Sequence, residues 1–374
     1  MLLLKRHIGA LCLYTAAALA FCPKADAGLA GFTQAHPYTY EEELLKMDVP
    51  PLHIDNYREK MRYNLIMLID YIKQQKPDFQ IIAHEGTELL SKSVWESHLE
   101  GYNETRAKGE TAQDPSFLIS RRDSAKISEP PVGSLARRYL NSVDAIAFNN
   151  VYCGKSNLPQ KFLDKHHIRT IAIDNCPDEL ELDRAIIRSV MDKRLFYGFS
   201  NLSNAFNNIN LQPLINETAQ NVTGVKDANN ILFLLDDNNY GHKYDLIAAL
   251  RETNYDIVVI SPLFHQQTPY TAEEISSLQY KKNGTRRLLI AEMNVSEANA
   301  LAYYWQRDWK IGNPEWLIRA SLANENSAIT AYWHPQWQRI MAGYFKSIAD
   351  SGYDGVFFTG IENHNYFEKQ LPLE

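Results

Sequence analysis

Signatures that announce a chemistry are scarce in this 374-residue chain, and cysteine is scarcer still. No Cys-x-x-Cys or His-Glu-x-x-His spacing occurs, so no metal is expected. No Gly-x-Gly-x-x-Gly follows a predicted strand, which leaves a dinucleotide fold without support. A serine hydrolase would lack its Gly-x-Ser-x-Gly elbow, and P-loop spacing is missing. No cofactor is implied. Adjacent His166 and His167 precede a predicted strand and read as a solvated turn. The net charge of −7 argues against nucleic acid as a partner. Beyond the N-terminus no run is apolar enough to cross a bilayer.

Of the four cysteines, Cys12 and Cys22 lie near the start of the chain. Lys5, Arg6 and His7 precede an apolar run over 8–21, and Ala25-Asp26-Ala27 has the small-x-small pattern of a signal-peptidase site. A secretory signal over 1–27 is therefore expected, cut after Ala27, with a secreted or periplasmic product. Bulky Phe21 disfavours a lipid anchor at Cys22. Sequons occur at Asn103, Asn201, Asn216, Asn221, Asn283 and Asn294, and they matter only in a eukaryotic secretory route. The remaining 28–374 is of globular composition, the whole chain being 45% hydrophobic and 22% charged.

What is present is alternation. "YREKMRYNLIMLIDYIKQQ" puts Met61, Leu65, Leu68, Ile69 and Ile72 on one helical stripe, and Pro77 stops it. Short apolar strands follow at 79–83, 143–148 and 169–174. A helix over 178–195 leads into "FYGFS". Residues 210–229, rich in Asn and Thr without a period, read as a linker. Strands resume at 231–235, 256–260, 288–292, 329–333 and 354–358, with helices between them. Such interleaving implies a parallel sheet, and this number of units predicts a single-domain α/β fold, a (β/α)8 TIM-type barrel. Cys153 and Cys176 each follow one of two consecutive strands. A disulfide between them fits an oxidising compartment, two free thiols being the alternative.

In such a barrel the chemistry gathers where strands end. His84-Glu85, Asn149-Asn150, Asp174-Asn175, Asp236-Asp237, Ser261, Glu292 and Thr359 stand there, with Glu297 and Glu362 just beyond. Several rim carboxylates suit glycoside hydrolysis, which needs a proton donor and a base or nucleophile. The plainer alternative is that they cap the helices that follow, as Asp178 is expected to do. Five of six tryptophans (Trp305, Trp309, Trp316, Trp333, Trp337) fall between 303 and 337, with Tyr303, Tyr304 and Tyr332. They suit a platform for the C–H faces of sugars, or the packing of a long loop.

Residues 286–367 resemble the glycoside hydrolase family 114 barrels, the endo-α-1,4-polygalactosaminidases and related glycosidases. The family's Ile-Gly-Glu-Ala-type loop corresponds to Val295-Ser296-Glu297-Ala298. Its "DPEWQ" corresponds to His334-Pro335-Gln336-Trp337-Gln338, and its "GFDGVYLD" to Gly352 through Thr359. Residues 57–200 resemble the family's other half, out of order. The resemblance thus implies a circular permutation: 38–209 matches the family's C-terminal half, 210–229 joins the old ends, and 230–374 matches its N-terminal half. The family's strand-end Asp is Thr359 here, its Glu-Asp is Asn149-Asn150, and its "QNG" is His84-Glu85-Gly86.

The expectation is an exported barrel acting on a polysaccharide or oligosaccharide, the resemblance suggesting galactosamine-containing glycans. Glu297 is expected as acid/base and Glu292 as its partner, with Glu85 as a further candidate. Trp305, Tyr304, Trp333, Asp174, Asn149, His84, Thr359 and Glu362 are expected to bind substrate. The rival expectation is a sugar-binding barrel that lost its chemistry with the strand-end Asp.

Overall fold

Runs of Ile, Val, Leu and Phe form eight short strands: β1 (Gln80–His84), β2 (Ala145–Asn149), β3 (Arg169–Asn175), β4 (Leu195–Phe199), β5 (Ile231–Leu234), β6 (Ile257–Ile260), β7 (Leu288–Asn294) and β8 (Gly355–Thr359). The computed structural model describes residues 53–110, 127–156, 158–200, 205–209, 214–322 and 324–371. The expected signal segment lies outside them.

The strands make one sheet in the order β4-β3-β2-β1-β8-β7-β6-β5, and every pair in it is parallel. β1 and β8, the first and last strands, pair in register from Gln80↔Gly355 to Ala83↔Phe358. β4 and β5 approach without a ladder between them, Tyr197 and Phe233 lying ring to ring at 5.4 Å. The sheet is therefore a nearly closed barrel with one seam.

Two apolar layers follow from the alternation of side chains along each strand. Ile82, Ala147, Ile171, Leu195, Phe233, Val259, Ile290 and Phe357, one from each strand, fill the interior. Ile81, Phe148, Leu232, Val258, Leu289 and Phe358 face outward into the helix layer. That layer comprises α1 (Tyr57–Lys73), α2 (Val94–Ala107), α3 (Leu135–Leu140), α4 (Gln160–Lys165), α5 (Glu179–Met191), α6 (Lys243–Arg251), α7 (Ala272–Leu278), α8 (Pro335–Ser351) and α9 (His364–Glu368). Side-chain caps start several of these helices. Ser93 and Thr271 form capping boxes with Glu96 and Glu274. Asp178 caps α5 as expected, accepting from the Glu181 N–H at 2.8 Å.

The segment expected as a linker does more than link. Val222, Val225 and Ala228 are buried in the interior cluster. Val225 N–H donates to Gln80 Oε1 at 2.9 Å, and buried Lys281 reaches the carbonyls of Thr218 and Gln220 at 3.2 and 2.9 Å. The segment plugs the amino-terminal end of the barrel. Among the described residues between β4 and β5 there is no α-helix.

Candidate functional site

The inward parity of Ile82, Ala147, Ile173, Ile290 and Phe357 carries on to the strand ends. His84, Asn149, Asn175, Glu292 and Thr359 therefore point into the mouth. Glu292 lies one step below the rim, paired in register with Phe357, while Thr359 pairs with Asn294. The Thr359 hydroxyl donates to Glu292 Oε1. Burial pushes the Glu292 carboxyl up to about 7 against that hydrogen bond, and the charge of nearby Glu297 adds to the rise.

Glu297 opens the short strand Glu297–Asn299, which pairs antiparallel with Ser327–Thr330 just beyond β7. Its carboxylate accepts from Ser321 Oγ and from Asn363 Nδ2, both at 3.1 Å. The turn beneath it is fixed by Asn294, whose Oδ1 accepts from the N–H groups of Ser296 and Glu297 at 3.1 and 2.9 Å. Ser296 Oγ donates to the Gly360 carbonyl at 2.6 Å, tying this turn to the loop after β8. Glu292 and Glu297 are thus brought together, as the sequence suggested, in different surroundings. One carboxyl is desolvated, and the other is held by two polar donors.

Glu85 is engaged otherwise. It sits in the left-handed region with φ 56°, and its Oε1 accepts from the Asn149 N–H at 2.7 Å. Asn150 repeats the device one strand on, with φ 53° and its Oδ1 accepting from the Asn175 N–H at 3.1 Å. Burial raises the Glu85 carboxyl, opposed by the Asn149 hydrogen bond. His84 Nε2 lies 3.1 Å from Asn149 Oδ1, and burial lowers its pKa. Glu362 stands on the same side with part of the residue in solvent, and crowding of its carboxyl, then the charges of Glu85 and Glu88, raise it.

Other expected site residues lie elsewhere. Asp174 falls on the outward face of β3, fully buried, where Oδ1 accepts from the N–H groups of Tyr152 and Cys153, both at 2.7 Å. It shapes a loop and does not line the mouth. The adjoining Cys153 and Cys176 are joined by a disulfide with Cα atoms 5.1 Å apart, tying the loops after β2 and β3. Asp237 accepts from the His265 N–H at 2.7 Å, joining the loops after β5 and β6, and Ser261 Oγ donates to the Leu263 carbonyl at 3.0 Å within its own turn.

The tryptophans mostly pack. Trp316 and Trp337 are fully buried, with indole N–H groups donating to Gln336 Oε1 and the Val295 carbonyl at 2.9 and 3.0 Å. Trp309 stands edge-on to Trp316 and Trp305 edge-on to Trp309. Trp333 is wedged among Tyr57, Tyr332 and Phe367 with Lys60 Nζ 4.4 Å above its ring. Tyr304 stands near Glu292, but its hydroxyl accepts from the Asn299 N–H at 3.1 Å. The platform expected from composition is, for the most part, a packed wall.

Asn363 and Ser321 were not singled out in the sequence, since neither has a motif and both come from distant loops. The same holds for Tyr197, Phe199 and Phe206 beside the seam. Only the alternation within "LFYGF" hinted that Tyr197 and Phe199 share the inward face. Among the described residues no cluster of His, Cys, Asp or Glu is arranged to hold a metal ion, and no helix is long and apolar enough to cross a membrane.

No family model matches the chain. It is similar to an uncharacterized protein of Methanocaldococcus jannaschii, 30% identical over 152 residues, covering 40% of this chain and 42% of that one. A Deinococcus radiodurans protein, also uncharacterized, is 29% identical over 33% of this chain and 38% of its own length. One from Thermotoga maritima is 26% identical over 22% and 25%. The chain spans less than half the length of the curated relatives it matches.

Proposed function

We propose that this protein is an exported glycoside hydrolase in which Glu292 donates a proton to the leaving oxygen and Glu297 serves as base or nucleophile. The observation that carries the reading is the pair itself: two carboxylates at the mouth of a parallel barrel, one pushed up to about 7 and its neighbour hydrogen-bonded by Ser321 and Asn363. Titratable neighbours whose surroundings drive their protonation apart are what an acid and its partner require. This reverses the roles expected from the sequence, because the desolvated carboxyl is the better proton donor near neutral pH.

The family 114 resemblance supports galactosamine-containing glycans as the substrate class. The permutation it implies fits the seam. The first and last strands, β1 and β8, pair as in any closed barrel, and the one break in the sheet falls mid-chain between β4 and β5. That is where the family's termini would lie, and the segment bridging it is the expected joint.

The test is reducing-end release from galactosamine-containing polysaccharide by the mature protein. Glu292→Gln and Glu297→Gln are each expected to abolish it. Binding without release by the unaltered protein would point instead to a sugar-binding barrel that lost its chemistry at Thr359. The anomer released first, followed by proton NMR, reports retention or inversion.

A further inference from the structure

The mouth has a second side that this mechanism does not use. Counting the seam as one step, β4 stands four strands from β8 in either direction round the sheet, so Phe199 at the end of β4 faces Thr359 across the opening. Three rings collect there. Tyr197 and Phe199 alternate inward along β4. Phe206 lies over the seam, its N–H donating to Tyr197 Oη at 2.9 Å and its carbonyl accepting from the Asp236 N–H at 3.0 Å. It is thereby anchored to both edges of the gap. Its ring stacks on Tyr197 at 5.4 Å and stands edge-on to Phe199 at 5.5 Å.

One observation sets this group apart from the other half-buried rings. All three are partly exposed, as Trp305, Trp309 and Trp333 also are. Phe206, however, has φ 64°, a left-handed conformation that a bulky side chain seldom adopts and that clusters at functional sites. A floor of buried rings runs from it toward the carboxylates. Phe206 meets Phe233 at 6.4 Å, and Phe233 meets Phe357, the register partner of Glu292, at 5.1 Å.

We infer that Phe206, with Tyr197 and Phe199, is a stacking subsite for a pyranose ring of the glycan chain whose bond Glu292 and Glu297 cleave. The inference rests on the hydrolase reading above. A pyranose offers a flat C–H face that gains by leaving water against an aromatic ring, while its hydroxyls stay in solvent at the open seam. Binding at this distance from the reacting bond holds the chain in place and lets the carboxylates act on a positioned substrate.

The experiment is calorimetric binding of a panel of oligosaccharides, galactosamine-containing and neutral, to the Glu292→Gln protein. It is repeated after adding Phe206→Leu, Phe206→Tyr or Trp305→Ala. Leucine keeps the apolar bulk over the seam and removes the flat face, and circular dichroism checks that the fold is intact. Phe206→Leu is expected to weaken binding about tenfold, the scale of one lost ring stack. Phe206→Tyr is expected to restore it, and Trp305→Ala to change it by less than about twofold. Unchanged binding in Phe206→Leu, with loss in Trp305→Ala, would overturn the subsite and leave the hydrolase reading standing. Failure of every saccharide to bind the Glu292→Gln protein would overturn both.

Discussion

The hydroxyl of Thr359 donates to Glu292 Oε1 across the β7–β8 pair, from two register positions above the carboxyl it serves. A carboxylate at position 359 would bring a like charge against Glu292, and the two would have to share a proton. A hydroxyl instead favours the ionised form of Glu292 modestly and leaves a single titrating group there. Thr359 therefore leaves Glu292 as the carboxyl of this strand pair, one strand away.

A pH dependence follows. If Glu292 is the proton donor, activity falls as pH rises through about 7. Thr359→Val removes a hydrogen bond that stabilises the ionised form, so the alkaline limb is expected to move up by about one unit. A kcat/KM profile measured from pH 5 to 9 on both proteins checks this. A limb that stayed put, or moved down, would detach Thr359 from the titration.

Glu292 also bears on stability. Its carboxyl is raised on folding, so the folded state meets no penalty from it below the ordinary carboxylate range, and the penalty grows as pH rises toward about 7. Glu292→Gln removes the ionisation. The variant is expected to be more stable than the native protein at pH 8, by up to about 3 kcal/mol, and nearly equal at pH 4. Urea unfolding at the two pH values reads this directly. A variant less stable at pH 8 would mean that the carboxylate is well solvated in the folded state.

A second buried group makes the opposite forecast. His364 is fully buried, and its Nε2 lies 3.0 Å from Glu88 Oε1, joining the loop after β1 to the loop after β8. Burial alone would raise Glu88, but the hydrogen bond and charge of His364, helped by Arg58, outweigh it and hold the carboxyl at about 2. Its stabilisation is present above the ordinary carboxylate range and is lost as pH falls toward 2. Glu88→Gln is expected to cost about 3 kcal/mol at pH 7 and roughly half of that or less at pH 3. An equal cost at both values would assign Glu88 a purely steric role.

Most strands of the barrel were legible because they are short apolar runs buried on both faces, as in Ile231–Leu234 and Ile257–Ile260, whereas β4 is largely half-buried. The Asp178 cap followed from local pattern, while strand order made a Cys153–Cys176 bridge plausible without deciding it against two free thiols. Asp174 was placed in the mouth because a strand end was recognised without its parity. Ile171 and Ile173 point inward, so Asn175 does too and Asp174 cannot. The sequence left both readings of the tryptophans open, since composition does not distinguish a ring that packs from one that waits for a ligand. The plug at 214–229 was missed because only Val222, Val225 and Ala228 enter the interior, too few to make a period. Asn363 and Ser321 reach Glu297 from 66 and 24 residues away in the chain, a relation that tertiary structure alone makes visible.

The turn that holds Glu297 depends on the absence of a side chain at Gly360. That residue has φ 74°, and a Cβ there would stand 2.2 Å from Asn294 Oδ1 and 2.7 Å from Ser296 Oγ. Both atoms are already spent on the turn, Asn294 accepting from the N–H groups of Ser296 and Glu297, and Ser296 donating to the Gly360 carbonyl. Gly360→Ala is therefore expected to push the Asn294 amide aside and free the backbone under Glu297. Positive φ adds a further cost, about 1–2 kcal/mol. Because the displaced atoms belong to the site rather than to the core, the loss in kcat should exceed what a Tm shift of a few degrees would suggest. Comparing kcat, oligosaccharide binding and Tm for this one variant separates the effects. Unchanged kcat with a lowered Tm would show that the turn serves the fold and leaves Glu297 where it was.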